Sequence, residues 1–180
     1  MAAPGTLDVS APGPGPTSVP ASADPRAPTR EVLVFEVGGH RYGLPTLDVR
    51  ELVRAVTITP LPNAPAFIEG VVDVRGRILP VLDIRARFRL PAKPLDPDDH
   101  FIVASAGPRG VILRVDRATH LARVDEASVR AAQTLGSSAT YVAGVATLDG
   151  GLVLIHDLTT FLSAAEDASL DAALRAPVTT

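Results

Sequence analysis

The chain states one plan twice. Phe67-Ile68-Glu69-Gly70 through Leu79-Pro80-Val81-Leu82-Asp83 runs aromatic, glycine, turn glycine, apolar run, aspartate. Tyr141-Val142-Ala143-Gly144 through Val153-Leu154-Ile155-His156-Asp157 runs in the same order. Gly70 to Asp83 spans thirteen positions, and so does Gly144 to Asp157. Ahead of these, Val32-Leu33-Val34-Phe35 through Gly43-Leu44 lies without a gap on Phe101-Ile102-Val103-Ala104 through Ile112-Leu113. The two halves therefore read as variations on one β unit.

Each half is punctuated for strands. Glu31 to Val37 is strand-like, Gly38-Gly39 offers the positive φ of a two-residue hairpin, and His40 to Leu44 returns. Pro45 blocks simple continuation of the ladder, so a bend over Thr46 to Leu52 is expected before a strand resumes at Val53 to Ile58. Pro60, Pro62 and Pro65 mark an extended connector. Phe67 to Val74 and Ile78 to Leu82 are strands broken by Arg75-Gly76. Asp83 is placed to cap a short helical turn ending near Phe88, and Asp157 to cap another over Leu158 to Leu162. In the second half, strands are expected at His100 to Ser105, Val111 to Val115, Thr119 to Val124, Thr140 to Ala146 and Leu152 to Ile155, with Asp149-Gly150 as a turn. Asp125 to Leu135 reads equally as helix or irregular chain. Ser163 to Arg175, rich in alanine, reads as a closing helix. Short strands with frequent glycine turns point to closed barrels, since closure removes exposed sheet edges. Two barrels related by the repeat would pack pseudo-symmetrically, with a groove between them as the natural binding place.

Composition narrows the core and the class. Hydrophobic residues make up 46% of 180 positions but aromatics only 4%, so the core is built of Val, Leu, Ile and Ala, of which Val and Ile favour strands. Zero cysteines exclude a disulfide scaffold and thiol chemistry. A net charge of -3 gives no bulk attraction to nucleic acid or anionic lipid. Residues 1–30 hold Pro4, Pro12, Pro14, Pro16, Pro20, Pro25 and Pro28 among small residues and read as a disordered extension. They lack the apolar stretch of a signal peptide, and no run is long enough to span a membrane, so the expectation is a soluble cytoplasmic protein. Residues 31–164 form the folded part, divided near 90–99 by Pro91, Pro94 and Pro97; residues 165–180 are a helix and tail.

The chemistry-bearing residues do not assemble into a catalytic or metal motif. His40, His100, His120 and His156 are scattered, and no serine stands in a nucleophile elbow. Neither Asp83 nor Asp157 has the Asp-Thr-Gly or Asp-Ser-Gly setting of an aspartic protease, and helix capping accounts for both. No cofactor is expected. Arg75, Arg77, Arg85, Arg87 and Arg89 are the one basic concentration. Three readings stand: a solvated face, a surface for an acidic protein, or an OB-like nucleic-acid site on the Arg75–Arg89 patch. Only Phe88 is available there for base stacking, which disfavours the last.

Val49-Arg50-Glu51, Phe67-Ile68-Glu69-Gly70-Val71, Arg75-Gly76 and Ile78-Leu79-Pro80-Val81-Leu82-Asp83-Ile84-Arg85 resemble the chemotaxis coupling protein family, the CheW-like domain. The resemblance covers about residues 31 to 164. It implies an all-β fold of two pseudo-symmetric five-stranded barrels of SH3-like or OB-like type around a shared core, with short helices at the barrel ends and C-terminus. It implies a non-catalytic adaptor whose partners are chemoreceptor cytoplasmic tips and the regulatory domain of a CheA-type histidine kinase, recruited to membrane-associated arrays. It assigns Val49, Glu51, Gly70 and Arg75 to the receptor-binding surface, with Glu51 and Arg75 matching a carboxylate and guanidinium that pair in relatives. Gly70 reads equally as a point of close backbone approach and as a β-bulge glycine. The second half departs from the family pattern at Ile112, Arg114, Arg117, Ala146 and His156 while keeping Val115-Asp116. That divergence raises a pathway governing surface motility or pili as an alternative to flagellar swimming.

Overall fold

The structure, a computed structural model, describes residues 28–131, 141–149 and 151–175. Most of the proline-rich extension read as disordered, residues 1–27, lies outside them, as do 132–135 of the undecided segment, Gly150 of the expected turn and the tail from 176 onward. In the first half, β1 (Thr29–Val37) and β2 (His40–Pro45) form a hairpin, a 3-10 turn at Thr46–Asp48 leads to β3 (Val49–Arg54), and β4 (Ile68–Val74) and β5 (Arg77–Leu82) form a second hairpin that ends in α1 (Ile84–Arg87). The second half repeats the series as β6 (His100–Ala106), β7 (Arg109–Val115), β8 (Arg117–Asp125), β9 (Arg130–Ala131), β10 (Val142–Leu148) and β11 (Gly151–His156), followed by a 3-10 turn at Leu158–Thr160 and by α2 (Ala164–Arg175).

The strands make two sheets, and each sheet mixes the halves. One sheet has the order β8-β1-β2-β11-β10-β9, the other β3-β6-β7-β5-β4. The front hairpin of each repeat joins the back hairpin of the other through a short parallel contact: Tyr42 and Gly43 beside Leu154 and Ile155, and Ile112 and Leu113 beside Val81 and Leu82. The segment at 90–99 thus divides the sequence repeats without dividing the sheets.

Three apolar clusters follow from this exchange. Val32, Val34, Val124, Ala146 and Ile155 pack within the first sheet, and Val72, Leu79, Val81, Phe101, Val103 and Ile112 within the second. Leu33, Phe35, Leu44, Ile102, Leu113, Phe161 and Leu170 belong to a larger cluster shared by both. Strand alternation explains the division, since successive side chains point to opposite faces and both faces are covered. Ile112 and Ala146, two of the departures from the family pattern, are simply buried in these clusters.

Two expectations need correction. No sheet closes into a barrel among the described residues, because the terminal strands of each sheet do not pair with one another. In the second sheet the chain between β3 and β4 carries Pro60, Pro62 and Pro65, which cannot donate to a ladder, and its contribution is the single bridge Thr59–Val71. The strand expected at Val53 to Ile58 lies instead at Val49–Arg54, where β6 supplies partners from Ala104 to His100. The bend signalled by Pro45 is present but confined to the 3-10 turn at Thr46–Asp48, and pairing with that edge starts the strand directly after it. The undecided segment from Asp125 contains a 3-10 turn at Glu126–Ser128 and then β9.

Candidate partner-binding surface

The hairpin between β4 and β5 turns on Arg75 and Gly76, with φ of 54° and 81°. Two consecutive positive φ values make the tight turn whose twist matches its strands, and Asp73 Oδ1 fixes it by accepting from Gly76 N at 2.6 Å. The turn holds Arg75 82% exposed, with Nη2 2.9 Å from Glu51 Oε2 on β3. Since β3 and β4 are the two edge strands of their sheet, this ion pair spans the opening that backbone hydrogen bonds leave unclosed. Exposed as it is, it contributes about 0 to 1 kcal/mol of stability, so its larger capacity is for contact with another molecule.

Gly70 and Val49 flank this pair differently. Gly70 sits at a β-bulge in β4 with φ of 155°; a side chain there would overlap the Thr59 carbonyl oxygen and stand 2.8 Å from Ile58 Cγ2. Both sequence readings of Gly70 therefore hold at once. Val49 is half-buried against the shared cluster at the start of β3. Beside these residues lies a groove of about 550 Å³ lined by Arg50, Glu51, Arg75, Arg77, Leu79 and Val103 together with the β6–β7 turn.

The arginines read as one patch are dispersed by the fold. Arg85 is buried, with Nη2 2.6 Å from Asp116 Oδ1 and Nη1 donating to Pro91 O at 3.1 Å. Arg87 lies over the Phe67 ring at 3.8 Å and donates to Tyr141 Oη, Glu166 Oε1 and Phe161 O at 3.0, 3.0 and 2.6 Å. Of the five arginines read as a patch, Arg75 and Arg77 line the groove. A nucleic-acid site on the Arg75–Arg89 patch finds no support: helix α1 turns Arg85 and Arg87 inward, where they tie it to Asp116 between β7 and β8 and to Glu166 of α2. The aspartates beside them cap: Asp83 Oδ1 accepts from Arg85 N and Ala86 N at 2.9 and 3.2 Å, and Asp157 Oδ1 from Thr159 N at 2.9 Å.

Behind the surface, charged groups pin the connector at 90–99. Lys93, the one lysine, reaches Asp99 Oδ1 at 2.6 Å and Asp116 Oδ1 at 3.4 Å, and Arg114 Nε lies 3.0 Å from Glu69 Oε1. The hydrogen bond to Asp99 raises the Lys93 pKa against the opposing effect of burial. Burial would raise the Asp116 pKa, but Arg85, the Gly38 N–H and Lys93 together hold it below the usual carboxylate value. His156, another departure from the family pattern, stacks on Phe88 at 4.6 Å and donates from Nδ1 to Tyr141 O at 2.7 Å. Burial, only partly opposed by that hydrogen bond, pushes its pKa down to about 4.

One feature of the surface escaped sequence reasoning. Glu51 pairs in register with Val103, and His120 with Val34. The offset that lays Val34 on Val103 also lays Glu51 on His120, and the offset that lays Gly70 on Gly144 lays Arg75 on Asp149. The structure joins the second pair as it joins the first, with His120 Nε2 3.3 Å from Asp149 Oδ2. Carrying the repeat through to these positions would have found it.

Comparison with known proteins agrees with the fold. Residues 31–166 match the family model of the CheW-like domain. The "Chemotaxis protein CheW" of Klebsiella aerogenes is 29% identical over 144 residues, covering 79% of this chain and 87% of that protein. "Protein FrzA" of Myxococcus xanthus is 49% identical over 57 residues, 32% of this chain and 36% of that one. Among solved structures, that of the scaffolding protein TtCheW from Thermoanaerobacter tengcongensis superposes with a TM-score of 0.66 at 30% identity, covering 71% of this chain and 88% of that one.

Proposed function

Because the chain belongs to the CheW-like domain family, we propose that it is a non-catalytic adaptor that couples chemoreceptor tips to the regulatory domain of a CheA-type histidine kinase. In this reading Val49, Glu51, Gly70 and Arg75 form the receptor-facing surface. The observation that carries it is the exposed Arg75 held by Glu51 across the open edge of the second sheet, where an ion pair of little value to stability is kept in a fixed geometry. The protein would work in the cytoplasm at membrane-associated arrays; among the described residues, no helix is long and apolar enough to cross a membrane.

An adaptor biases a kinase only through unequal binding to its states, since a ligand that binds two states equally shifts neither. Single contacts of roughly 1,200 Å² or less, at micromolar affinity of about 8 kcal/mol, suffice when an array supplies avidity. Size-exclusion chromatography of the full chain with the kinase regulatory domain encoded nearest to it and a receptor tip fragment tests this. A ternary peak is the expected result. Absence of a complex with either protein, and with every kinase paralogue of the genome, would overturn the adaptor function.

A further inference from the structure

The groove beside Glu51 carries more positive charge than the Glu51–Arg75 pair needs. Arg50, Arg75 and Arg77 line it against the single carboxylate of Glu51, in a chain whose net charge is -3. Arg50 is oriented by its Nε donating to Ser105 Oγ at 3.0 Å, and neither Arg50 nor Arg77 has a carboxylate partner among the described residues. The floor is apolar and closed, with Leu79 and Val103 buried.

Nothing in the repeated fold demands these two arginines. At the corresponding places of the other half stand Thr119 and Gly151, on the equivalent strands β8 and β11. An oriented cluster of guanidinium groups is suited to carboxylates, which accept planar, charge-assisted hydrogen bonds. The groove also lacks an aromatic side chain for base stacking and contains Glu51, which would repel a phosphate backbone.

We propose that Arg50 and Arg77 are specificity residues that select a receptor tip presenting acidic side chains opposite this groove, with Arg75 shared between Glu51 and the incoming carboxylates. The proposal rests on the adaptor reading. It adds that affinity at this surface is set by partner carboxylates and falls with ionic strength, as rim charges do.

Isothermal titration of the full chain with a soluble receptor tip fragment tests it, using the native fragment and one whose exposed Glu and Asp residues are changed to Gln and Asn. Arg50→Gln and Arg77→Gln should each weaken binding to the native tip about three- to tenfold and leave binding to the amide tip unchanged. Equal weakening on both tips, or none on the native tip, would overturn the proposal while the adaptor function stands. Failure of the wild-type chain to bind either tip would overturn both. Should a variant fail to fold by circular dichroism, the wild-type chain still decides: salt must weaken binding to the native tip more steeply than to the amide tip, and equal slopes would defeat the idea.

Discussion

The turn between β4 and β5 and the turn after β10 occupy equivalent places in the two halves, yet the acid stands on opposite sides of the two pairs. The first sets a cation on the turn against an acid on β3, Arg75 against Glu51; the second sets an acid on the turn against an imidazole on β8, Asp149 against His120. The first pair links the two end strands of its sheet, β3 and the turn after β4; the second links the end strand β8 to the turn after β10, one strand in from the other end. The repeat therefore fixes where a bridging pair can form, while the side chains decide what that place can recognise. The first is accompanied by a groove with two further arginines.

The difference is sharpest at the bulge glycines. Gly70 faces the Thr59 carbonyl at a φ that side chains rarely adopt, whereas Gly144 faces Val129 Cγ1, a side chain able to move, with Arg130 O at 3.0 Å. Gly70→Ala should cost about 4 kcal/mol, combining overpacking with backbone strain, and Gly144→Ala about 1 to 2 kcal/mol. Urea denaturation of both variants measures this, and equal losses would mean that the two bulges are mechanically alike.

His156 stands where the first half has Leu82. Its folded pKa of about 4 lies below the usual 6.5, so the unfolded chain takes up a proton that the folded one refuses. The stability this neutral histidine contributes is present above pH 6.5 and lost as pH falls from there to about 4, up to about 3 kcal/mol. His156→Leu restores the symmetry and should flatten the melting temperature over that window. An unchanged acid limb would assign the loss to other groups. Asp116 is not one of them within that window, because its lowered pKa moves its loss to lower pH still.

Charge reversal tests the two bridging pairs directly. Arg75→Glu should leave circular dichroism unchanged, shift stability by less than about 1 kcal/mol and weaken receptor-tip binding at least about tenfold. Unfolding would instead make Arg75 structural. The matched change Asp149→Arg should leave tip binding unaltered, and a comparable loss there would extend the receptor surface to the second half. The smallest effect belongs to Asp149→Asn, below about 0.5 kcal/mol in thermal melts, since both members of that pair are exposed.

What could be read ahead of the structure follows from the range over which each residue acts. The hairpins at Gly38-Gly39 and Arg75-Gly76, and the caps of Asp83 and Asp157, depend on neighbours within a few residues and were legible. The position of β3 was not, because the edge of β6 set it from some fifty residues away. Arg85 and Arg87 looked like surface charge in a run of alternating arginines. Their partners Asp116, Tyr141 and Glu166 lie 31, 54 and 79 residues along the chain, beyond any local pattern.

The sequence by itself determined that the protein is two copies of one strand plan, which residues turn and cap it, and, through its motifs, the family to which it belongs. These follow from spacing and local backbone chemistry, which are written along the chain. Only the tertiary structure decided that the copies exchange hairpins, that the sheets stay open among the described residues, and that the Glu51–Arg75 ion pair spans one opening. Those outcomes depend on which distant edges meet, and a short parallel contact between β2 and β11, or β5 and β7, leaves no period in the sequence to announce it.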